Sequence, residues 1–330
     1  MVRFFSGNNP LNVIILFFLG ILIKLPYFIT PVIPQPGATD GFLYIELLKA
    51  LQQTGIAFPI IYPILAYVLL FTQAITFNGL INDQKLFSSP NYLLALSYLV
   101  ITSIVPEWNV LSPVLIINTI MVWALPRMVG LYNHPNPKTV LFNIGFGFGV
   151  TSFFYFPSAY LLLLLIVALV LFRPFYIAEW LVAILGILTP FYFLLVYFFV
   201  WDHWEMANAL VPKQSLRLPA IFFDWKFWVE FSLIFFPLLV GVLMSLRFST
   251  RMLVQTRKSW NYMVFYLIIA LFIPFVNSYA GLTHWILAVV PVSLFHAAFY
   301  FYPKKKRFPE LLFWMSLIWI IANYAVLNSR

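Results

Sequence analysis

EWLVAILGILTPFYFLLVYFFV, residues 179–200, decides the fold. After Glu179 it contains no charged side chain, and it is as long as the roughly 20 residues a helix needs to cross about 30 Å of hydrocarbon at about 1.5 Å per residue. Ten more apolar stretches read the same way: 11–28, 58–77, 90–105, 110–125, 139–154, 157–172, 227–246, 260–276, 284–301 and 310–327. Composition agrees, being 63% hydrophobic and 9% charged with 37 Phe, far outside the range of a soluble domain. The sequence predicts an all-α polytopic membrane protein, one integral membrane domain over 1–330, with about eleven transmembrane helices. The pair at 90–125 is short and also fits a re-entrant hairpin.

Lys and Arg in short loops set the orientation, because they are retained in the cytoplasm. With the N-terminus inside, Arg3, Lys85, Arg127, Lys138, Arg173, Arg247, Arg251, Arg257, Lys258, Lys304, Lys305, Lys306 and Arg307 share that face. Lys24, Lys49, Lys213, Arg217, Lys226 and Arg330 fall on the other, together with Asp40, Glu46, Glu107, Asp202, Glu205, Asp224 and Glu230. The expected topology is N-in, C-out. The net charge of +9 lies in loops flanking apolar spans, so membrane lipid, and not nucleic acid, is the expected partner. The chain has no cysteine, which excludes disulfides and thiol chemistry. A basic residue precedes the first apolar stretch, but no small-x-small cleavage site follows it, so it reads as a retained helix.

Two outer loops, 29–57 and 201–226, hold several charges each. In the first, prolines precede DGFLYIELLKALQQTG at 40–55. There Phe42, Ile45, Leu48 and Leu51 recur at helical spacing with Leu47, away from Glu46, Lys49, Gln52 and Gln53. This predicts an outer-face amphipathic helix over 41–54, with Thr39 or Asp40 as N-cap and Gly55 able to end it. The second loop sets Trp201, Trp204, Trp225 and Trp228 among charges, as at a membrane interface. The C-terminal helices fill 227–330.

The first helix, the acid after it, the segment 40–55 and FPIIYPILAYVLLFTQAITF at 58–77 together resemble the opening of the C-type (GT-C fold) membrane glycosyltransferase superfamily. The family pattern is an Asp, a Tyr a few residues on, a short helix closed by Gly and a Pro-containing second span; Asp40, Tyr44, Gly55 and Pro63 occupy those places. Gly41 stands where a second acid often follows. GFGFGVTSFFYFPSAYLLLLLIVALVLFR at 145–173 is similar to that superfamily's paired short helices, and the likeness covers about residues 1–200. LFRPFYIAEW and RKSW mark a narrower bacterial branch. The resemblance implies an inner-membrane enzyme of the bacterial cell envelope that takes a sugar from a polyprenyl-phosphate carrier at the periplasmic face.

In that family Asp40 would be the base that deprotonates the acceptor hydroxyl, or would help hold a metal; the residues alone equally allow a helix N-cap. Tyr44 belongs with it on the substrate side. Lys213, Arg217 and Lys226 are outer-face cations for a lipid phosphate or for ordinary headgroups. His284 offers a donor to phosphate or a local helix-end bond. Asp202, His203 and Glu205 form a compact D-H-x-E cluster able to hold a divalent metal ion, the one candidate cofactor, though its spacing matches no strong signature. His296, Asn118, Asn143 and Asn277 read as interhelical hydrogen-bonding groups. Beside the enzyme stands a second reading, a non-catalytic subunit of the same architecture that scaffolds membrane-protein partners for secretion, translocation or envelope polysaccharide assembly. A transporter is third.

Overall fold

The computed structural model describes residues 1–37, 39–202, 224–249, 252–276 and 281–328, with side chains to 324. Thirteen α-helices follow one another among them: α1 (Val2–Phe5), α2 (Leu11–Ile29), α3 (Phe42–Ala57), α4 (Ile61–Asp83), α5 (Leu93–Ile104), α6 (Pro113–Val129), α7 (Pro137–Phe154), α8 (Leu162–Phe172), α9 (Ile177–Val200), α10 (Trp225–Ser249), α11 (Val254–Phe272), α12 (Val289–Phe301) and α13 (Arg307–Asn328). Short 3₁₀ turns at 106–109, 156–161, 273–276 and 282–288 join several of them. No strand occurs among the described residues.

Each of the eleven apolar stretches carries a helix. Six helical segments, 11–29, 61–83, 177–200, 225–249, 254–276 and 282–301, are long and apolar enough to cross a bilayer, and the chain is a multi-pass membrane protein. The remaining stretches differ for a physical reason. α5 has twelve residues, about 18 Å of helix, and every one of them is buried. It is walled by α4, α12, α2 and α13 and meets protein on all sides. By contrast α9 turns Leu181, Leu185, Leu188, Tyr192 and Phe199 outward as a lipid-contacting face.

α9 lies closely against α7 because glycines leave the backbones room. A Cβ on Gly149 would come within 2.6 Å of the Ile187 carbonyl, and one on Gly145 within 2.5 Å of that of Ala183. Polar glue fastens the centre. Tyr98 on α5 donates to Gln73 on α4 at 2.6 Å, and Gln73 donates to Thr119 on α6 at 2.7 Å. Asn118 on α6 donates to the Ile286 carbonyl at 2.7 Å, as an interhelical polar group should. His296 does not follow suit: it faces the Leu233 carbonyl but neither ring nitrogen completes a hydrogen bond, and its ring packs edge-on against Tyr300.

The helix ends sort into two groups. At one, Arg3 pairs with Glu310 at 3.6 Å, Gln255 donates to Gln84, and Arg173 grips Glu179 through two bonds of 3.0 and 2.6 Å while reaching the His134 carbonyl. At the other, Lys24 meets Asn109, Tyr44 meets Leu111, Trp108 donates to the Leu282 carbonyl, and Asn323 donates to Glu230.

Candidate functional site

The loop after α2 is built by its prolines, Pro31, Pro34 and Pro36, which keep residues 31–37 out of regular structure. It is then closed by a small turn: the Asp40 amide donates to the Gly37 carbonyl at 3.2 Å, and the Asp40 carboxylate accepts from the Gly37 amide at 2.8 Å. Next Asp40 forms an isolated antiparallel bridge with Tyr155, and the Gly41 amide donates to the Phe154 carbonyl at 2.8 Å. The carboxyl is thereby pinned to the junction between α7 and the 3₁₀ turn at 156–161. Burial pushes it above its ordinary value, and the Gly37 amide, which favours the ionised form, offsets part of that rise.

The N-cap is Gly41, without a side-chain cap, and not Thr39 or Asp40. The expected helix over 41–54 runs over Phe42–Ala57 instead. Gly55 does not end it, because that glycine is needed inside the helix, where the Tyr62 ring occupies the space of a side chain. A close approach also fixes Gly41: a Cβ at that position would run into the Phe153 carbonyl.

Tyr44, in the first turn of α3, is 2% exposed and donates to the Leu111 carbonyl at 2.9 Å. Burial pushes its hydroxyl well up, and the charge of Asp40 adds to this, so it serves as a neutral donor. His284 lies in the first part of the 3₁₀ turn at 282–288 and lays its ring against Tyr155, centroids 4.9 Å apart and tilted by 37°. Its Nδ1 is buried without a hydrogen-bond partner. Tyr155 therefore sits between the Asp40 loop and His284, so residues from the two ends of the chain meet at one place.

Of the other sequence candidates, His203, Glu205, Lys213, Arg217 and Asn277 lie outside the described residues. Asp202 is exposed just past α9, in a left-handed conformation with φ of 54°. Lys226 lies half-buried in the first turn of α10, and Asn143 is exposed on α7. Among the described residues no three acids or histidines converge as a metal would require.

One group was counted in the sequence only as outer-face charge. Lys24, 2% exposed inside α2, donates to Thr102 at 3.1 Å and to Asn109. Glu230, 7% exposed in the second turn of α10, accepts from Asn323 of α13 at 3.1 Å. Beside them a cavity of about 50 Å³ opens between α2, the end of α5 and α13. The signal was present: an ionisable residue inside an apolar span is a functional candidate in itself. A smaller hollow shares Tyr27 and is lined by Asn109 and Leu111, the latter being the acceptor of Tyr44. Compared with known proteins, the chain matches no family model, no curated protein and no solved structure.

Proposed function

We propose that this chain is a GT-C-like protein of the bacterial inner membrane that crosses the bilayer eleven times, N-in and C-out, and transfers a sugar from a polyprenyl-phosphate carrier at the outer face. The observation that carries this reading is the state of Asp40. Its carboxyl accepts from the Gly37 amide, its backbone is bridged to Tyr155, and the group is half-withdrawn from water and raised in basicity by burial, which suits a general base. In the proposed reaction Asp40 takes the proton of an acceptor hydroxyl. The freed oxygen bonds to the sugar's anomeric carbon, and the bond from that carbon to the lipid phosphate breaks with its electrons leaving on phosphate. His284, across Tyr155, is the nearby group able to donate to that phosphate. Eleven crossings are compatible with a helix as short as α5, since protein and not lipid surrounds it.

The experiment is transfer from a panel of radiolabelled polyprenyl-phosphate sugars by the purified full chain in nanodiscs. Asp40→Asn retains an oxygen for the Gly37 amide but not a base, so it should insert normally and transfer nothing. Transfer at the wild-type rate in that variant contradicts the reading. A second reading, the non-catalytic scaffold subunit, is favoured by Gly41, whose close approach to Phe153 removes the second acid of the family pattern. Inactivity of the wild type on every donor, together with copurification of a stable membrane partner, would select it.

A further inference from the structure

We propose that the loop from α12 to α13 is a seat for the phosphate of an anionic phospholipid, at the end of the bundle where Arg3 meets Glu310. α2, a helix of 19 residues, separates this end from the Asp40 loop. The run Lys304, Lys305, Lys306 and Arg307 is not a uniform patch. Lys306 turns inward and donates to the Tyr300 and Phe301 carbonyls at 2.8 and 2.6 Å, which caps the last turn of α12 and ties the loop back on it. Tyr302 clamps the same loop to α10, its ring stacked on Phe248 with centroids 4.4 Å apart and 9° between the planes. Lys304, Lys305 and Arg307 are left exposed on a fixed loop.

These three cations have no acid to meet. Glu310, the nearest acid in sequence, is taken by Arg3 at 3.6 Å, and Glu179 by Arg173 at 2.6 Å. Asp83, the other described acid of this end, is balanced in count by Lys85 two residues on. Among the described residues none of the three cations forms an ion pair or a side-chain hydrogen bond. Arg247 precedes Phe248, so the ring stack places a fourth exposed cation at this end. Like charges held together repel, and a phosphate among them relieves that repulsion. Arg307 is able to hold two of its oxygens at once.

The surroundings make the phosphate a lipid's. Phe236, Leu239 and Leu243 form an exposed strip on α10, and Phe308 and Leu311 another at the start of α13. The strips meet where the Phe236 and Phe308 rings pack edge-on at 5.7 Å. An apolar seam thus runs up to the basic loop, and acyl chains lie along it while the phosphate rests on the cations. A zwitterionic headgroup fits worse, because the same cations repel its ammonium. A soluble anion would gain nothing from the seam.

The test is native mass spectrometry of the full chain released from nanodiscs of mixed phosphatidylglycerol, phosphatidylethanolamine and phosphatidylcholine. Phosphatidylglycerol should be retained about tenfold over the other two, and Lys304→Gln combined with Lys305→Gln should bring that preference to within about twofold. Lys138→Gln, which removes an exposed charge of the same end at the start of α7, should leave it unchanged. Equal retention of the three lipids by the wild type overturns the proposal, as does an unchanged preference in the paired variant. An equal loss in Lys138→Gln also overturns it, because the attraction would then belong to the whole basic face. So does competition by deacylated glycerophosphoglycerol as strong as that of the lipid, which would make the ligand a soluble anion.

Discussion

Gly41 donates its amide to the Phe154 carbonyl at 2.8 Å, and this bond, part of the Asp40–Tyr155 bridge, holds the Asp40 loop against the end of α7. The approach is so close that position 41 has no room for a Cβ beside the Phe153 carbonyl. Gly41→Ala should therefore cost about 1–3 kcal/mol and displace Asp40. Thermal unfolding of the purified protein checks the first effect and the transfer assay the second. A variant with wild-type stability would show that the loop is not anchored there.

Asp40 imposes a pH dependence. Its folded value is raised above the 3.8 of a free side chain, so between the two values the folded protein binds more protons than the unfolded chain. Its contribution to stability is greatest in acid, is lost as pH rises through the folded value, and is a penalty above it. Asp40→Asn should thus gain stability relative to wild type on going from about pH 4 to pH 7. Melting curves at the two pH values report this directly, and a variant that loses stability relative to wild type over that range would contradict it. In the reaction proposed for Asp40 as base, transfer should fall in acid with a midpoint above 3.8, as the carboxylate becomes protonated.

The Arg173–Glu179 pair binds the end of α8 to the start of α9, with side chains 12% and 7% exposed. Arg173 also donates to the His134 carbonyl at 3.0 Å, so the ion pair holds the loop after α6 as well. Glu179→Gln should destabilise the fold by about 3–5 kcal/mol, the usual cost of leaving one buried charge unpaired. Denaturant or thermal unfolding measures it, and a loss below about 1 kcal/mol would place the pair among weak surface contacts.

The helices of the eleven apolar stretches were legible in the sequence because an apolar run in a membrane chain has few alternatives to a helix. How many cross was not, since hydropathy does not distinguish a helix facing lipid from one enclosed by protein, as α5 is. Periodicity found α3, but not its cap: a backbone bond between Gly41 and Phe154, 113 residues apart in sequence, displaced the local capping choice. The meeting of Asp40 with His284 through Tyr155, and of Glu230 with Asn323, depends on helices far apart in the chain, which no local pattern encodes. Lys24 carried a signal in its lone charge within LGILIKLPYFI, and counting it only as topology concealed its bonds to Thr102 and Asn109.

The account rests on Asp40 facing the side of the membrane opposite Lys305. The chain has no cysteine, so single replacements can be labelled cleanly: Gln35→Cys in the Asp40 loop and Lys305→Cys in the basic loop before α13, both at exposed positions. In intact cells a membrane-impermeant maleimide should label the variant at 35 at once and the variant at 305 only after permeabilisation. Labelling of 305 from outside, with 35 protected until the membrane is opened, would contradict the account.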